Sequence, residues 1–215
     1  MRFKTPLAVL AAGTLALGAV ACGGDDKSGK PVATLDSFTG QTTSVKLDKG
    51  FVKALTSLNV APAAVGSAKI NATGSAVFAV FPITGGDVTY FKPGSVTPYV
   101  QGKIYHEFSG LRLTAGSTKV DLTDFLIDPG KSVLTANVSV NGRTVKQSAP
   151  LFFLDGRTLK PISIKKSDDT AVLTGTTVKL EKSAAALLNK TFKVHKLKGG
   201  LVIGVARIVI DLPAS

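Results

Sequence analysis

Short β-rich runs separated by turn residues fill this chain from about residue 67 onward. Gly, Pro, Asn and Asp fall between the runs at regular intervals, which is typical of antiparallel strands joined by tight turns. Asn141-Gly142 is the strongest hairpin signal, because both central residues of a type I′ turn need positive φ. The pattern predicts a mainly β fold, an antiparallel sandwich or barrel-like domain. The predicted strands cover residues 67–71, 77–83, 87–91, 98–108, 111–114, 119–127, 132–140, 144–154, 159–165 and 201–212.

Two segments depart from the β pattern and resemble each other. Residues 45–55 align with residues 178–188 with five identical positions in eleven, and both begin Val-Lys-Leu followed by an acid and Lys. In each, a strand is expected to lead into a short amphipathic helix whose acid, Asp48 or Glu181, lies at the helix start, where the helix dipole favours negative charge. We predict two short helices, near residues 48–58 and 181–191, placed equivalently after their strands. Chance similarity between two lysine-rich segments is the alternative.

The N-terminus has the three parts of an export signal. Arg2 and Lys4 are followed by an uncharged run over residues 7–20, which is too short to span a bilayer as a helix. Residues 17–22, Leu-Gly-Ala-Val-Ala-Cys, resemble the bacterial lipobox, although Ala19 stands where that pattern prefers Leu. Cys22 is the only cysteine and so has no disulfide partner, which favours lipidation over an ordinary signal peptide. We expect a lipid anchor on Cys22 at the extracellular face of the cell membrane.

The rest of the chain divides into a tether and one domain. Residues 1–21 are the predicted lipoprotein signal peptide, and residues 22–40 are polar and rich in Gly and Pro, which predicts a flexible tether. Residues 41–215 are long enough for a single β-rich domain with a real core.

The mature chain is strongly basic. The whole chain has 26 Lys and Arg against 14 Asp and Glu, and removal of the signal peptide leaves a net charge of +10. A basic protein can bind nucleic acid, an anionic membrane face, an acidic cell-wall polymer or an anionic ligand. Export argues against nucleic acid as the partner. Simple solubility near a negative envelope is the plainest interpretation.

The sequence has few of the residues that catalysis or metal binding requires. Two histidines and one cysteine cannot supply a clustered zinc or iron–sulfur site, and no nucleophile elbow or phosphate-binding loop is present. Asp25-Asp26 and Asp168-Asp169 are adjacent acids in polar stretches, which are usually solvated loops. The sequence therefore predicts a protein that is not an enzyme.

One histidine lies in an apolar pattern. With strand alternation, Val100, Gly102, Ile104, His106 and Phe108 share one face, whereas residues 99, 101, 103, 105 and 107 share the other. His106 is then either a hydrogen-bonded core residue or a ligand that faces an apolar pocket. Tyr105 is expected to project from the opposite face unless a bulge intervenes near Gly102.

Several of these motifs together resemble one family. Phe81-Pro82-Ile83-Thr84-Gly85-Gly86, the spacing from Gly102 to His106, Leu111-Arg112-Leu113, residues 120–126 and Leu134-Thr135-Ala136-Asn137-Val138 look like the HtaA-type domain of haem-uptake proteins on the surface of high-GC Gram-positive bacteria. The resemblance covers roughly residues 42–190. It implies a β-rich domain with short helices that binds haem through a tyrosine supported by a histidine, and His106 falls at the histidine position.

The family's ligating tyrosine has no counterpart at its own position. It follows a Trp-Gly-x-x-x-Ser-Phe segment, and the matching residues 47–55 contain neither Tyr nor Trp. Tyr90 and Tyr99 are therefore added to His106 as candidate ligand-binding residues, with His106 the candidate iron ligand and haem affinity expected to be weak or absent.

Three functions remain open from the sequence. The first is a lipid-anchored surface module that binds haem or a related apolar anionic ligand. The second is a structural or partner-binding envelope module that keeps the fold without haem ligation, and the third is a carrier of lipid or another apolar ligand. The expected partners are the membrane, through the anchor, a haem-like ligand and an envelope protein.

Overall fold

A computed structural model describes residues 29–212, so the predicted signal peptide and Cys22 lie outside the described residues. Residues 29–212 form thirteen strands and two α-helices. In chain order these are β1 Pro31–Phe38, β2 Gly40–Leu47, α1 Lys49–Ser57, β3 Ala61–Gly66, β4 Lys69–Thr73, β5 Ala76–Pro82, β6 Gly85–Phe91, β7 Val100–Ala115, β8 Thr118–Asp128, β9 Val133–Val140, β10 Arg143–Asp155, β11 Ser163–Lys165, β12 Thr170–Leu180, α2 Lys182–Phe192 and β13 Val202–Asp211. Neither described helix has the length and apolar character needed to cross a bilayer.

All thirteen strands belong to one curled antiparallel sheet that forms a half-barrel. The order is β1-β6-β7-β8-β9-β10-β12-β13-β2-β5-β4, with β11 paired to β12 and β3 paired to the C-terminal half of β7. Strands β6 to β10 are neighbours in both sequence and space, because short turns join β7 to β10 and a longer loop, residues 92–99, joins β6 to β7. The mainly β, antiparallel fold with two short helices is confirmed.

The predicted hairpin at Asn141-Gly142 is present. Val140 pairs with Arg143, and the φ angles of Asn141 and Gly142 are 48° and 82°. Two consecutive positive φ angles match the right-handed twist of the flanking strands, which is why this dipeptide closes a hairpin so well.

The two helices occupy equivalent positions, as predicted. Strands β2 and β12 lie on either side of β13, and each leads directly into its helix. Asp48 caps α1, since its Oδ1 accepts hydrogen bonds from the backbone N–H groups of Gly50 and Phe51, at 2.7 and 3.2 Å. Glu181 occupies the same position before α2 but makes no capping hydrogen bond through its side chain.

The core lies on the inner face of the curled sheet, and the two helices cover one end of it. Buried and exposed residues alternate along parts of the long strands, and Ile104, Val120, Val138 and Ile210 are almost fully buried. Burial of each such side chain contributes about 1.5–3 kcal/mol to folding. The helices add buried residues of their own, Phe51 and Leu55 from α1 and Ala184, Ala185 and Leu188 from α2.

The predicted tether over residues 22–40 is corrected in part. Pro31–Phe38 forms strand β1, which pairs with the edge of β6 from Pro31 opposite Phe91 to Phe38 opposite Gly86. Only Phe38 of this strand is buried. The segment is a strand because its backbone hydrogen bonds to the edge of β6, although its sequence does not alternate apolar and polar residues.

Candidate functional site

His106 is a core residue, as its place in the alternation predicted. Its side chain is 1 % exposed and lies in phase with Val100 and Ile104, which are also buried. Tyr105 is 36 % exposed and faces away from the core, as predicted.

Both ring nitrogens of His106 have partners inside the protein. Nδ1 lies 3.2 Å from the backbone oxygen of Phe125, and Nε2 lies 2.7 Å from Oγ1 of Thr43. A carbonyl oxygen can only accept, so Nδ1 carries the proton, and Nε2 then accepts from the Thr43 hydroxyl. Burial lowers the pKa of His106 to about 4, although the hydrogen bond to Phe125 opposes the shift. The imidazole is therefore neutral at pH 7, and it could bind a metal only after its bond with Thr43 breaks.

The space beside His106 is a small internal cavity that we call the helix-covered cavity. Its volume is about 80 Å³, and apart from His106 and Thr43 its walls are apolar side chains of the sheet and of both helices, including Phe51, Leu55 and Leu188. Ligand pockets usually measure about 300–1,000 Å³. This cavity does not fit haem unless the helices move.

The prediction that Phe108 shares the buried face is wrong. Pairing between β7 and β8 is interrupted between His106 and Gly110, and Phe108 has a φ of 58° and is 80 % exposed. Its backbone N–H donates to Oδ1 of Asp124 at 3.0 Å, and its carbonyl accepts from the N–H of Ser67 at 3.0 Å. The bulge falls immediately after His106 rather than at Gly102, and it turns the phenyl ring outward.

A larger cavity opens at the end of the sheet that the helices leave uncovered, and we call it the open-end cavity. Its volume is about 320 Å³, at the lower end of the range of small-ligand pockets. Most of its walls are apolar, and the polar groups lie mainly in the turns around it. The lining residues come from five strands and their turns, including Tyr99, Val100, Ile104, Leu154, Leu173, Ala206 and Ile208.

The structure brings Tyr90 and Tyr99 together and separates both from the helix-covered cavity. Their rings pack edge to face with centroids 5.9 Å apart. Tyr99 lines the open-end cavity, and its hydroxyl donates to the backbone oxygen of Leu159 at 3.0 Å. Burial, with a smaller contribution from Tyr90, raises the pKa of Tyr99. Tyr99 is therefore a neutral phenol at pH 7, not a preformed phenolate ligand for iron.

Asp155 holds one wall of the open-end cavity, a role that sequence reasoning missed. Its buried carboxylate accepts two hydrogen bonds from the Arg157 guanidinium, both at 2.8 Å, and one from Nζ of Lys179 at 2.9 Å. These bonds hold the pKa of Asp155 well below its usual range. They also fix the turn Gly156–Thr158 at the mouth. The local sequence gives no sign of this role, since Lys179 lies 24 residues away from Asp155.

Within residues 29–212, no group of three or more His, Cys, Asp or Glu side chains is placed to hold a metal ion. The role of His106 as an iron ligand stays a prediction.

The fold and the open-end cavity are those of a small antiparallel β domain with a ligand-sized, mostly apolar cavity. No family model and no curated protein matches this chain. Among solved structures it is similar to the haem-binding protein HtaB of Corynebacterium glutamicum, at 11 % identity and a TM-score of 0.52, over 83 % of this chain and 96 % of that one. It is also similar to the C-terminal domain of HtaA from the same organism, at 13 % identity and a TM-score of 0.51, over 80 % and 98 %. The chain therefore has an HtaA-like fold.

Proposed function

We propose that this protein is a lipid-anchored module on the outer face of the cell membrane that binds haem or a related apolar anionic ligand in the open-end cavity. The observation that carries the proposal is a ligand-sized apolar cavity in a fold similar to that of the haem-binding protein HtaB and of the C-terminal domain of HtaA. The protein acts by binding alone and not as an enzyme.

The charge around the open-end cavity supports an anionic ligand. Lys160 is exposed and follows Leu159 of the cavity wall, so carboxylates of a ligand seated in the cavity meet its positive charge, whereas the exposed Arg157 at the mouth is already paired with Asp155. The walls accept the apolar body of the ligand, and the net charge of +10 on the mature chain favours approach of an anion.

We expect haem to bind without a bond between the protein and its iron, because the candidate ligand side chains already have hydrogen-bond partners. His106 is tied to Thr43 and Phe125, and the Tyr99 hydroxyl is tied to Leu159. Haem, when bound, supplies a flat apolar surface with two carboxylates, and this chain's residues hold that surface by contact and charge. The affinity is therefore set by the porphyrin and not by its metal.

The export signal ending at Cys22 supports the anchor and the location. A second candidate is an envelope module that has lost haem ligation and binds a partner protein. It is favoured by the hydrogen bonds that occupy both ring nitrogens of His106.

Titration with haem and with iron-free protoporphyrin tests the proposal. We expect both to bind with similar affinity, and Ala206→Phe, which fills the open-end cavity, to weaken both at least tenfold. Val205→Phe is the matched control, because Val205 is the adjacent residue of β13 and is 42 % exposed. If neither haem nor protoporphyrin binds, the partner-binding candidate is favoured. If haem binds but protoporphyrin does not, and His106→Gln abolishes haem binding, then the ligand binds in the helix-covered cavity.

A further inference from the structure

The described chain begins at the open end of the half-barrel. Pro31, the first residue of β1, pairs with Phe91, the last residue of β6. A Cβ placed on Gly29 would lie 2.6 Å from Oγ of Ser95, so the backbone enters against the turn that leads into β7. Two residues beyond Ser95, Thr97 begins the wall of the open-end cavity. The N-terminal connection and the mouth of the cavity therefore lie side by side.

The connection to Cys22 is short. Seven residue steps separate Cys22 from Gly29, and a fully extended chain covers at most about 3.5 Å per residue. An acylated Cys22 would thus hold the open end within about 25 Å of the lipid surface.

Exposed lysines and an exposed valine surround this end of the sheet. Lys30 and Lys92 come from the paired ends of β1 and β6, and both are exposed. Lys160 is also exposed, and it follows Leu159, whose backbone oxygen accepts from Tyr99 at the cavity wall. Val32, beside Lys30, is 63 % exposed.

The acids at this end do not cancel the positive charge of the three lysines. Asp168 and Asp169 lie in the turn between β11 and β12, and they are accompanied by Lys166 and by Lys165, the last residue of β11. Asp128 pairs with Lys131, and Asp87 lies opposite Lys103 in the pairing of β6 with β7. Asp155 is already paired with two cations. Lys30, Lys92 and Lys160 take part in none of the ion pairs among residues 29–212, so they can meet an anionic surface.

We infer that Lys30, Val32, Lys92 and Lys160 form a membrane-docking face that turns the mouth of the open-end cavity toward an anionic phospholipid bilayer. The charge of the three lysines, the exposed valine and the short connection all favour a lipid surface over a soluble partner. The inference rests on the proposed function for the anchor, and it adds a route: an apolar ligand passes between the bilayer and the cavity without crossing bulk water.

Vesicle binding tests the docking face without the anchor. The mature chain carrying Cys22→Ser is mixed with vesicles of phosphatidylcholine alone or with phosphatidylglycerol added, and we expect binding only to the anionic vesicles. Each lysine near the surface is worth about 1 kcal/mol, or about fivefold. Lys92→Ala with Lys160→Ala should therefore weaken binding about thirtyfold.

A matched pair of lysines at the other end provides the control. Lys182 and Lys198 are exposed on α2 and on the loop that follows it. Lys182→Ala with Lys198→Ala removes the same charge and should change binding less than threefold. Equal losses in the two double variants would overturn the inference, since the whole charge of the protein rather than one face would then be responsible.

Orientation has its own measurement, because the chain contains no tryptophan. Val32→Trp places a single indole on the docking face, and Val145→Trp places one on the distant β9–β10 hairpin, where Val145 is 51 % exposed. Brominated phosphatidylglycerol should strongly quench the indole fluorescence of the Val32→Trp variant and should quench that of the Val145→Trp variant little. The reverse order, or quenching of neither, contradicts the docking face. Porphyrin titration without vesicles tests the proposed function separately, so either idea can fail alone.

Discussion

Acidification should destabilise this domain through His106. The neutral imidazole is buried between Thr43 and Phe125, and its pKa is about 4 in the folded protein, against 6.5 in the unfolded chain. Between these two pH values the unfolded chain binds one proton more than the folded protein. The free energy of unfolding is therefore intact above pH 6.5 and falls as the pH drops, by about 1.4 kcal/mol per pH unit and by about 3 kcal/mol in total at pH 4.

Urea unfolding followed by circular dichroism, at about pH 7 and about pH 4.5, measures this loss. His106→Gln is the comparison, because its amide can donate to Phe125 and accept from Thr43 but does not titrate. Carboxylates contribute equally in both proteins, so the wild type should lose about 2.5 kcal/mol more than the variant between the two pH values. Equal decreases in the free energy of unfolding of the wild type and of His106→Gln would refute the reasoning and show that His106 is accessible to protons in the folded state.

Three further changes test other parts of the molecule. Ala206→Phe should weaken porphyrin binding at least tenfold while leaving the melting temperature within a few degrees of that of the Val205→Phe control, and unchanged affinity would show that the ligand does not bind in the open-end cavity. Asp155→Asn should lower the free energy of unfolding by about 1–2 kcal/mol in urea titrations, because Arg157 and Lys179 lose a charged acceptor and one of its two oxygens. An unchanged midpoint would show that the turn does not depend on the carboxylate. Cys22→Ser should move the protein from the membrane fraction to the soluble fraction in cell fractionation, whereas unchanged retention would exclude lipidation at that residue.

The local features of the fold could be predicted from the sequence. Turns such as Asn141-Gly142 depend on their own residues, and the repeated Val-Lys-Leu-acid segment identified both helices. Periodicity placed His106 inside, because a strand's alternation is a local property. Strands β1 and β3 were missed, since Pro31–Phe38 and Ala61–Gly66 have mostly exposed side chains and are strands only because they pair with β6 and β7.

The candidate site depends on contacts between distant residues, which explains what the sequence could not show. Thr43, the partner of His106, lies 63 residues away from it. The alternation failed at Phe108 because Asp124 and Ser67, both from other segments, hold it at positive φ. The open-end cavity is lined by strands as far apart in the sequence as β7 and β13, so no short motif predicts it.

Methyl NMR with gallium protoporphyrin, a diamagnetic analogue of haem, tests the central claim most directly. We predict that saturating ligand shifts the methyl resonances around the open-end cavity, those of Ile104, Leu173 and Ile208, and leaves those of Leu122 and Leu188 beside His106 unchanged. Shifts confined to Leu122 and Leu188 would place the ligand under the helices and contradict the account.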